Sequence, residues 1–138
     1  MARESKAIAY VLDAWSIMAY LQGEPAGATV KTIIADAHEY GIPLLMSVVN
    51  VAEVWYAFAR RASPLQAQES LAELKLLGIE FRAADLDLAI EAASFKARFK
   101  MSLADCFAAA LAKHDQAELV TGDQEFRQVE REVKLSWL

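Results

Sequence analysis

Four carboxylates interrupt stretches of the sequence that are otherwise apolar. Asp13 and Asp123 each follow an apolar run, the second after an intervening glycine. Glu53 and Asp105 stand among hydrophobic residues in segments with helical periodicity. An unpaired buried charge is costly, and two carboxylates about 4 Å apart repel by on the order of 4 kcal/mol at an effective dielectric near 20. If folding brings the four together, a divalent cation would relieve that repulsion.

The donor atoms favour one class of metal. Carboxylate oxygens are hard ligands, which suit Mg²⁺ or Mn²⁺. Zinc fits less well, because the only histidines are His38 and His114, both near predicted helix C-termini where the helix dipole accounts for them. Mg²⁺ usually keeps several waters and takes further ligands from phosphate. The chemistry predicted for such a centre is phosphodiester hydrolysis by a metal-bound water, without a covalent enzyme nucleophile.

Three of the four acids also have a purely structural explanation. Asp13 is a suitable helix N-cap, and Asp105 in a first helical turn complements the helix dipole. Asp123 after a glycine suits a turn. Glu53 has no such explanation, since no cap or turn accounts for a carboxylate amid valine, alanine and tryptophan.

Short apolar runs alternate with helical patterns along the chain. The predicted strands are Ala7–Leu12, Leu44–Met46, Ile79–Arg82, Glu118–Thr121 and a weak edge strand at Lys134–Leu135. The predicted helices, counted with their caps, are 14–22, 26–40, 47–61, 63–77, 85–99 and 102–114. Parallel neighbours need helical crossovers. The pattern therefore predicts one α/β domain over residues 1–138, a three-layer α/β/α fold around a central parallel sheet of four to five strands.

This topology predicts where the acids meet. In open α/β sheets, ligands bind outside the carboxyl ends of the strands, near the point where the strand order reverses. Asp13 and Asp123 follow two such strand ends. Glu53 and Asp105 join them only if their helices pack over that edge.

Composition limits the class of protein. With 138 residues, 56% of them hydrophobic, the chain is able to form a sizeable core and does not resemble a disordered protein. No apolar run is long enough to cross a bilayer and no signal-peptide cleavage site follows the charged start, so we expect a cytoplasmic protein. The net charge of -5 repels a polyanion overall, so any nucleic-acid site must be local.

Two other phosphate-handling classes fit less well. A Walker-type NTPase is excluded, because the sequence lacks the glycine-rich loop and its lysine. A receiver-like phosphoacceptor domain would need a mid-chain strand ending in Asp and a lysine at the end of the last strand. No mid-chain strand ends in Asp, and Lys134 is poorly placed for that role.

Four stretches resemble the PIN-domain nucleases, in the order that the family has them. They are Tyr10-Val11-Leu12-Asp13, Val48–Val54, Ser102–Ala112 and Leu119–Phe126. Together they span nearly the whole chain. Each is weak alone, whereas four in order at comparable intervals form a fairly specific signal.

The resemblance implies an Mg²⁺- or Mn²⁺-dependent endoribonuclease with Asp13, Glu53, Asp105 and Asp123 as its acidic site. Thr121 matches a position whose hydroxyl often supports that site. The compact length is similar to VapC-type toxins, which implies a homodimer and a cognate antitoxin whose tail enters the active-site groove. A catalytically degenerate PIN fold that binds proteins, or a housekeeping RNA-processing nuclease, remains the alternative.

Two polar residues near the acids are candidates for supporting roles. Relatives often have Ser or Thr one or two positions after the first Asp, whereas this chain has Ala14 and Trp15 there. Ser16, about one helical turn beyond Asp13, is the candidate substitute. Asn50 lies three residues before a glutamate on the same helical face, where it could hold a carboxylate or a water, or simply be a first-turn residue.

Basic and aromatic residues near these motifs have two interpretations each. Lys96, Arg98 and Lys100 precede the last long helix and could steer RNA phosphates toward Asp105, although basic residues near a helix end usually form a solvated face. Four aromatics could stack on bases, but helical spacing favours packing in the core or at a dimer contact. They are Trp15, Trp55, Tyr56 and Phe58.

Overall fold

A five-stranded parallel sheet runs through the computed structural model, which describes residues 7–138. The strands are β1 (Tyr10–Leu12), β2 (Leu44–Ser47), β3 (Ile79–Arg82), β4 (Glu118–Thr121) and β5 (Lys134–Trp137). Their order is β3-β2-β1-β4-β5, and every neighbouring pair is parallel. The chain goes from β1 to β2 and β3 on one side and later returns to β4 and β5 on the other. The strand order therefore reverses between β1 and β4.

Six α-helices and one 3₁₀ segment connect these strands. They are α1 (Ala14–Leu21), α2 (Pro25–Tyr40), α3 (Val48–Arg61), α4 (Pro64–Leu76), α5 (Leu86–Arg98), α6 (Leu103–His114) and the 3₁₀ segment Gln124–Val129. The predicted caps Ser47, Ser63 and Ser102 each accept a hydrogen bond from a backbone amide in the first turn. No helix among the described residues has both the length and the apolar composition that a membrane span requires.

The helices cover both faces of the sheet. Successive residues of a strand point to opposite faces. Val11 accordingly packs into an apolar cluster with Phe95 of α5 and Leu111 of α6. Leu12 belongs to a second cluster, which takes in Ile17 of α1 and further residues of α2, α3 and α4. This arrangement confirms the predicted three-layer α/β/α fold.

Small side chains let α6 lie close to the sheet. Ala108, Ala109 and Ala110 are completely buried, and α6 contacts β1, β2 and β4. The first turn of α6 carries Asp105. The close packing of this helix therefore fixes the position of that carboxylate relative to the strand ends.

Several element boundaries differ from the prediction; β2, for example, ends at Ser47 rather than Met46, because Ser47 still pairs with Arg82. β1 begins at Tyr10 rather than Ala7, because its pairing with both neighbours starts there, and Ile8 is 65% exposed. Pro25 is the first residue of α2, one residue earlier than predicted. Proline is tolerated there because the first helical position needs no N–H donor. β5 extends to Trp137 because it pairs along the whole of β4.

Helices α1 and α2 meet at close range around Gly27. A Cβ atom on this residue would lie 2.4 Å from the carbonyl oxygen of Ala19 and 3.0 Å from the Cα of Tyr20. Both are backbone atoms, which move only if α1 itself shifts. The two helices therefore approach this closely only because glycine has no side chain.

We expect Gly27→Ala to lower the free energy of unfolding by roughly 1–3 kcal/mol, the usual effect of overpacking. A fall in stability would be informative, because helix propensity alone favours alanine over glycine by about 1 kcal/mol in a helix interior. Urea unfolding followed by circular dichroism measures the change. Ala28→Gly, at the exposed next position, reports the helix-propensity effect alone. A stabilised Gly27→Ala chain would contradict the close packing.

Candidate acidic site

The candidate site lies at the carboxyl edge of the sheet, where the strand order reverses between β1 and β4. Asp13 follows β1 directly, and Asp123 follows β4 after one residue. Asp105 enters from the first turn of α6 and Glu53 from α3. The two helices belong to opposite faces of the sheet, so the site draws on both outer layers and the sheet between them.

Asp13 is the most deeply buried of the four acids, with 1% of its surface exposed. One carboxylate oxygen, Oδ1, accepts a hydrogen bond of 2.8 Å from the backbone amide of Ser16 and thereby caps α1. The other, Oδ2, accepts a hydrogen bond from the hydroxyl of Thr121. Burial raises the pKa of Asp13 to about 6, although the hydrogen bonds from Thr121 and Ser16 oppose that shift.

Thr121 connects the two acids that follow strands. Its hydroxyl donates to Asp13 and accepts a hydrogen bond of 3.0 Å from the backbone amide of Asp123. Thr121 is completely buried at the end of β4. One hydroxyl therefore fixes the relative positions of both carboxylate-bearing segments.

Ser16 contacts Asp13 mainly through the backbone. Its amide donates to the carboxylate, whereas its hydroxyl donates to the main-chain carbonyl of Asp13 at 3.0 Å. The side chain thus stabilises the first turn of α1. The Ser16 side chain also helps to lower the pKa of Asp13, although the hydroxyl of Thr121 on β4 contributes more.

Asp105 experiences the charges of the other three acids. Burial raises its pKa to about 7, and repulsion from Asp123, Asp13 and Glu53 adds to the shift in that order. The backbone amide of Asp105 donates to the capping hydroxyl of Ser102 at 3.1 Å. The carboxylate is therefore held in a helix first turn and faces a concentration of negative charge.

Asn50 ties Glu53 to the neighbouring helix. Its side-chain nitrogen donates to Glu53 Oε1 at 2.9 Å and to the carbonyl oxygen of Ala104 at 3.2 Å. Asn50 is completely buried, and its Oδ1 has no hydrogen-bond partner among residues 7–138. Burial raises the pKa of Glu53, and the hydrogen bond from Asn50 opposes the shift. The amide joins α3 to α6 one residue before Asp105.

A fifth carboxylate, Glu125, joins the group. Its backbone amide donates to Asp123 Oδ1 at 2.9 Å. One carboxylate oxygen from each of Asp105, Asp123 and Glu125 lies within 4.8 Å of the other two. These are three hard oxygen donors from two segments, which suits Mg²⁺ or Mn²⁺.

Sequence reasoning did not select Glu125. The available signal was its spacing of two residues from Asp123, which caps the 3₁₀ segment. Such a cap folds the following turn back on the capping side chain. An acid at that spacing is brought toward the same edge, although many exposed turn acids share this pattern.

Glu53, Asp105 and Asp123 line an open cleft of about 580 Å³. Its walls come from α1 and α3, and its acidic side from the start of α6 and the segment after β4. The lining residues are Ala14, Trp15, Met18, Gln22, Glu24, Glu53, Tyr56, Ala57, Arg61, Ser102, Asp105 and Asp123. Asp13 lies beneath this surface, bonded to Thr121.

Two of the four aromatics considered above line the cleft rather than the core. Trp15 is 41% exposed and Tyr56 is 47% exposed. The indole ring of Trp15 lies against Gly122, where an added Cβ atom would come within 2.3 Å of the ring. Phe58 packs against the apolar cluster of α1–α4, and the Trp55 indole nitrogen donates to a glutamine of α4 at 3.0 Å. Of the four, Phe58 follows the expectation of packing in the core.

The three basic residues before α6 have contacts elsewhere. The Lys96 ammonium donates to a main-chain carbonyl of the loop before α6 at 2.7 Å. Arg98 forms a paired contact with both carboxylate oxygens of Glu132, at 2.6 and 3.1 Å. Lys100 is exposed, and none of the three is among the described residues that line the cleft. The cation that does line it, Arg61, was not selected from the sequence.

Comparison with known proteins gives a family and a fold. The PIN domain family model matches residues 10–132. No curated protein matches the chain. Among solved structures, DNA-bound VapBC2 from Rickettsia felis gives a TM-score of 0.72 at 17% identity, covering 94% of this chain and 98% of that one.

Two further structures have the same architecture. Mycobacterium tuberculosis VapC20, a toxin that cleaves the sarcin-ricin loop, gives a TM-score of 0.69 at 19% identity, with 88% of this chain and 95% of that chain covered. DNA-bound VapBC from Salmonella typhimurium gives 0.72 at 15% identity, with 94% and 97% covered. The family match extends from the start of β1 to two residues before β5. This chain belongs to the PIN domain family.

Proposed function

We propose that this protein is a divalent-metal-dependent endoribonuclease that hydrolyses RNA phosphodiester bonds and acts as the toxin of a toxin–antitoxin pair. The observation that carries the proposal is the convergence of carboxylates from distant segments: Glu53 of α3, Asp105 of α6 and Asp123 after β4 line one cleft, and Asp13 after β1 is close enough to raise the pKa of Asp105. Carboxylates gathered without basic partners destabilise one another unless a cation neutralises them. A structural role alone gives no reason to assemble them.

Three residues form the core of the proposed metal site, Asp105, Asp123 and Glu125, with Glu53 and Asp13 as further members. Their hard oxygen atoms and close spacing suit Mg²⁺ or Mn²⁺. When bound, such a cation would polarise a phosphodiester oxygen and lower the pKa of a water molecule. No zinc-type set of histidine and cysteine occurs among the described residues.

The chain's own residues hold this site in one arrangement. The Thr121 hydroxyl and the Ser16 amide each donate a hydrogen bond to one carboxylate oxygen of Asp13. Asn50 likewise donates to the carboxylate of Glu53 and orients it. Such outer hydrogen bonds typically contribute 10- to 100-fold to metal affinity or activity. In the proposed enzyme they fix the carboxylates before substrate arrives, so that little reorganisation is needed during the reaction.

The toxin assignment draws on the relatives. Several solved structures with this fold are VapBC complexes, and VapC20 is described as cleaving the sarcin-ricin loop. We propose by analogy that this chain cleaves RNA, acts in the cytoplasm, forms a homodimer and is silenced by a cognate antitoxin. The analogy is one of fold, and the acidic cleft is the feature of this chain that supports it.

Asp105→Asn is expected to lower RNA cleavage in Mg²⁺ or Mn²⁺ by roughly 100-fold or more, because it removes a charged oxygen from the proposed metal site. Cleavage of labelled RNA is measured over time, with EDTA as the metal-free reference. Asp87→Asn is the matched control, since Asp87 also lies in the first turn of a helix but outside the cleft.

Equal cleavage by the Asp105 variant and wild type would contradict the assignment of the acidic site. Loss of Mn²⁺ binding can be followed separately by calorimetry. A wild-type chain that binds no Mn²⁺ and cleaves no RNA would instead support the degenerate, protein-binding alternative.

A toxin and a housekeeping nuclease differ in their effect on growth. Induced expression of the wild-type chain in a bacterial host is expected to arrest growth, whereas Asp105→Asn leaves growth unaffected at equal protein level. Growth curves with immunoblot quantification test this. Unimpaired growth with active wild-type enzyme in the lysate would favour a housekeeping role.

The raised pKa of Asp105 predicts how stability depends on pH without metal. The value of about 7, against an ordinary value of 3.8, means that the folded chain binds the proton more tightly than the unfolded chain. Stability therefore falls as pH rises between those two values, because the ionised form is the disfavoured one. In EDTA we expect Asp105→Asn to be more stable than wild type at pH 8, with a smaller difference at pH 5.

Thermal unfolding at both pH values measures this difference. Mn²⁺ added at pH 8 should raise the Tm of the wild type, because binding to the folded state alone stabilises it, and should raise that of Asp105→Asn much less. An Asp105→Asn chain that is destabilised equally at pH 5 and pH 8 would show that the pKa of Asp105 is not raised in the folded chain.

A further inference from the structure

The cleft contains one side chain of opposite charge. Arg61 is the only cation among the described residues that line it. It lies eight residues after Glu53 on α3, with Ala57 between them at four residues from each. Positions four apart share one face of a helix, so Arg61 continues the wall that begins at Glu53.

The guanidinium of Arg61 has no hydrogen bond, ion pair or ring contact with another residue in 7–138. Arg82 and Arg98 differ in this respect, since Arg82 pairs with Asp115 and Arg98 with Glu132. A guanidinium carries five N–H donors in a planar fork that matches phosphate oxygens. Arg61 therefore brings a set of unused donors to a cleft whose other charges are negative.

We propose that Arg61 binds a backbone phosphate of the RNA beside the phosphate that is cleaved; the inference rests on the proposed function. The cleaved phosphate belongs at the carboxylates. The Cα atom of Arg61 is about 12 Å along α3 from that of Glu53, at 1.5 Å per residue. This separation places Arg61 at a neighbouring phosphate of a strand that lies against α3.

The charge of the whole chain makes such a contact necessary. With a net charge of -5, the protein repels RNA at long range. Phosphate contacts to Arg and Lys supply most of the sequence-independent affinity for nucleic acids. A cation inside the cleft attracts the strand at the place where the reaction occurs and sets the register of the strand.

Arg60 provides a matched control. It occupies the same last turn of α3 and has the same favourable interaction with the helix dipole. Its guanidinium lies over the ring of Tyr56, 5.0 Å from the centroid, and it does not line the cleft. Arg60→Ala and Arg61→Ala remove equal charge from the same helix end, and Arg60→Ala also removes the contact with Tyr56, so a larger loss in Arg61→Ala requires a contact that Arg61 itself makes.

The first experiment compares steady-state cleavage of a single-stranded RNA oligonucleotide by wild type, Arg61→Ala, Arg61→Lys and Arg60→Ala. We expect Arg61→Ala to lower kcat/KM roughly 10- to 100-fold, mainly through KM, as for the loss of a charge-assisted hydrogen bond. Arg61→Lys restores part of the loss, since lysine keeps the charge without the fork. Arg60→Ala stays within about twofold of wild type.

The second experiment locates the phosphate. Oligonucleotides of one sequence carry a single uncharged methylphosphonate linkage at successive positions around the cleavage site. For the wild type, one position flanking that site should weaken cleavage strongly. For Arg61→Ala the same linkage should have little further effect, because the two changes remove the same contact. A merely structural role for Arg61 would not create this position-specific coupling.

Two outcomes overturn the inference, and they are distinguishable. If the wild type cleaves the oligonucleotide and Arg61→Ala behaves like Arg60→Ala, or shows no position-specific coupling, the Arg61 contact is wrong and the proposed function stands. If the wild type neither cleaves RNA nor binds Mn²⁺, the proposed function fails and the Arg61 contact fails with it.

Discussion

Several carboxylates are gathered at the carboxyl edge of β1 and β4, where burial first and mutual repulsion second disfavour their charged forms. The pKa of Asp105 is raised to about 7 by burial and then by the charges of Asp123, Asp13 and Glu53. A fold that only needed stability would separate these groups or pair them with cations. Here they are instead held at fixed positions beside a cleft. Natural proteins often give up stability in this way at their functional sites.

The fold maintains this unfavourable arrangement through a few buried hydrogen bonds between elements distant in sequence. Thr121 joins the ends of β4 and β1, and Asn50 joins α3 to α6. Asn50 holds Glu53 while leaving its own Oδ1 without a partner in residues 7–138, which typically costs about 1–3 kcal/mol. The alanine-rich face of α6 lets that helix lie against the sheet, so a helix packed on the core carries Asp105.

The cleft combines two opposite electrostatic requirements. Its acids suit a hard divalent cation, yet a polyanionic substrate must also approach them. A bound cation changes the local sign of the field, and Arg61 adds positive charge farther along α3. Trp15, lying over Gly122, and Tyr56 give the walls exposed aromatic surface, which is the type of surface on which bases of single strands stack.

The sequence by itself determined the elements and part of the site, because those features depend on local physics. Apolar runs and capping residues predicted all five strands and six helices to within a few residues, and Asp13 and Asp123 were identifiable because they follow strand ends. Only the tertiary structure decided how side chains from distant segments meet: that Glu125 joins Asp105 and Asp123, and that Arg61 lines the cleft. Arg98 shows the same limit, since its partner Glu132 is 34 residues away. Such contacts depend on the packing of helices across the sheet, which no local pattern of residues encodes.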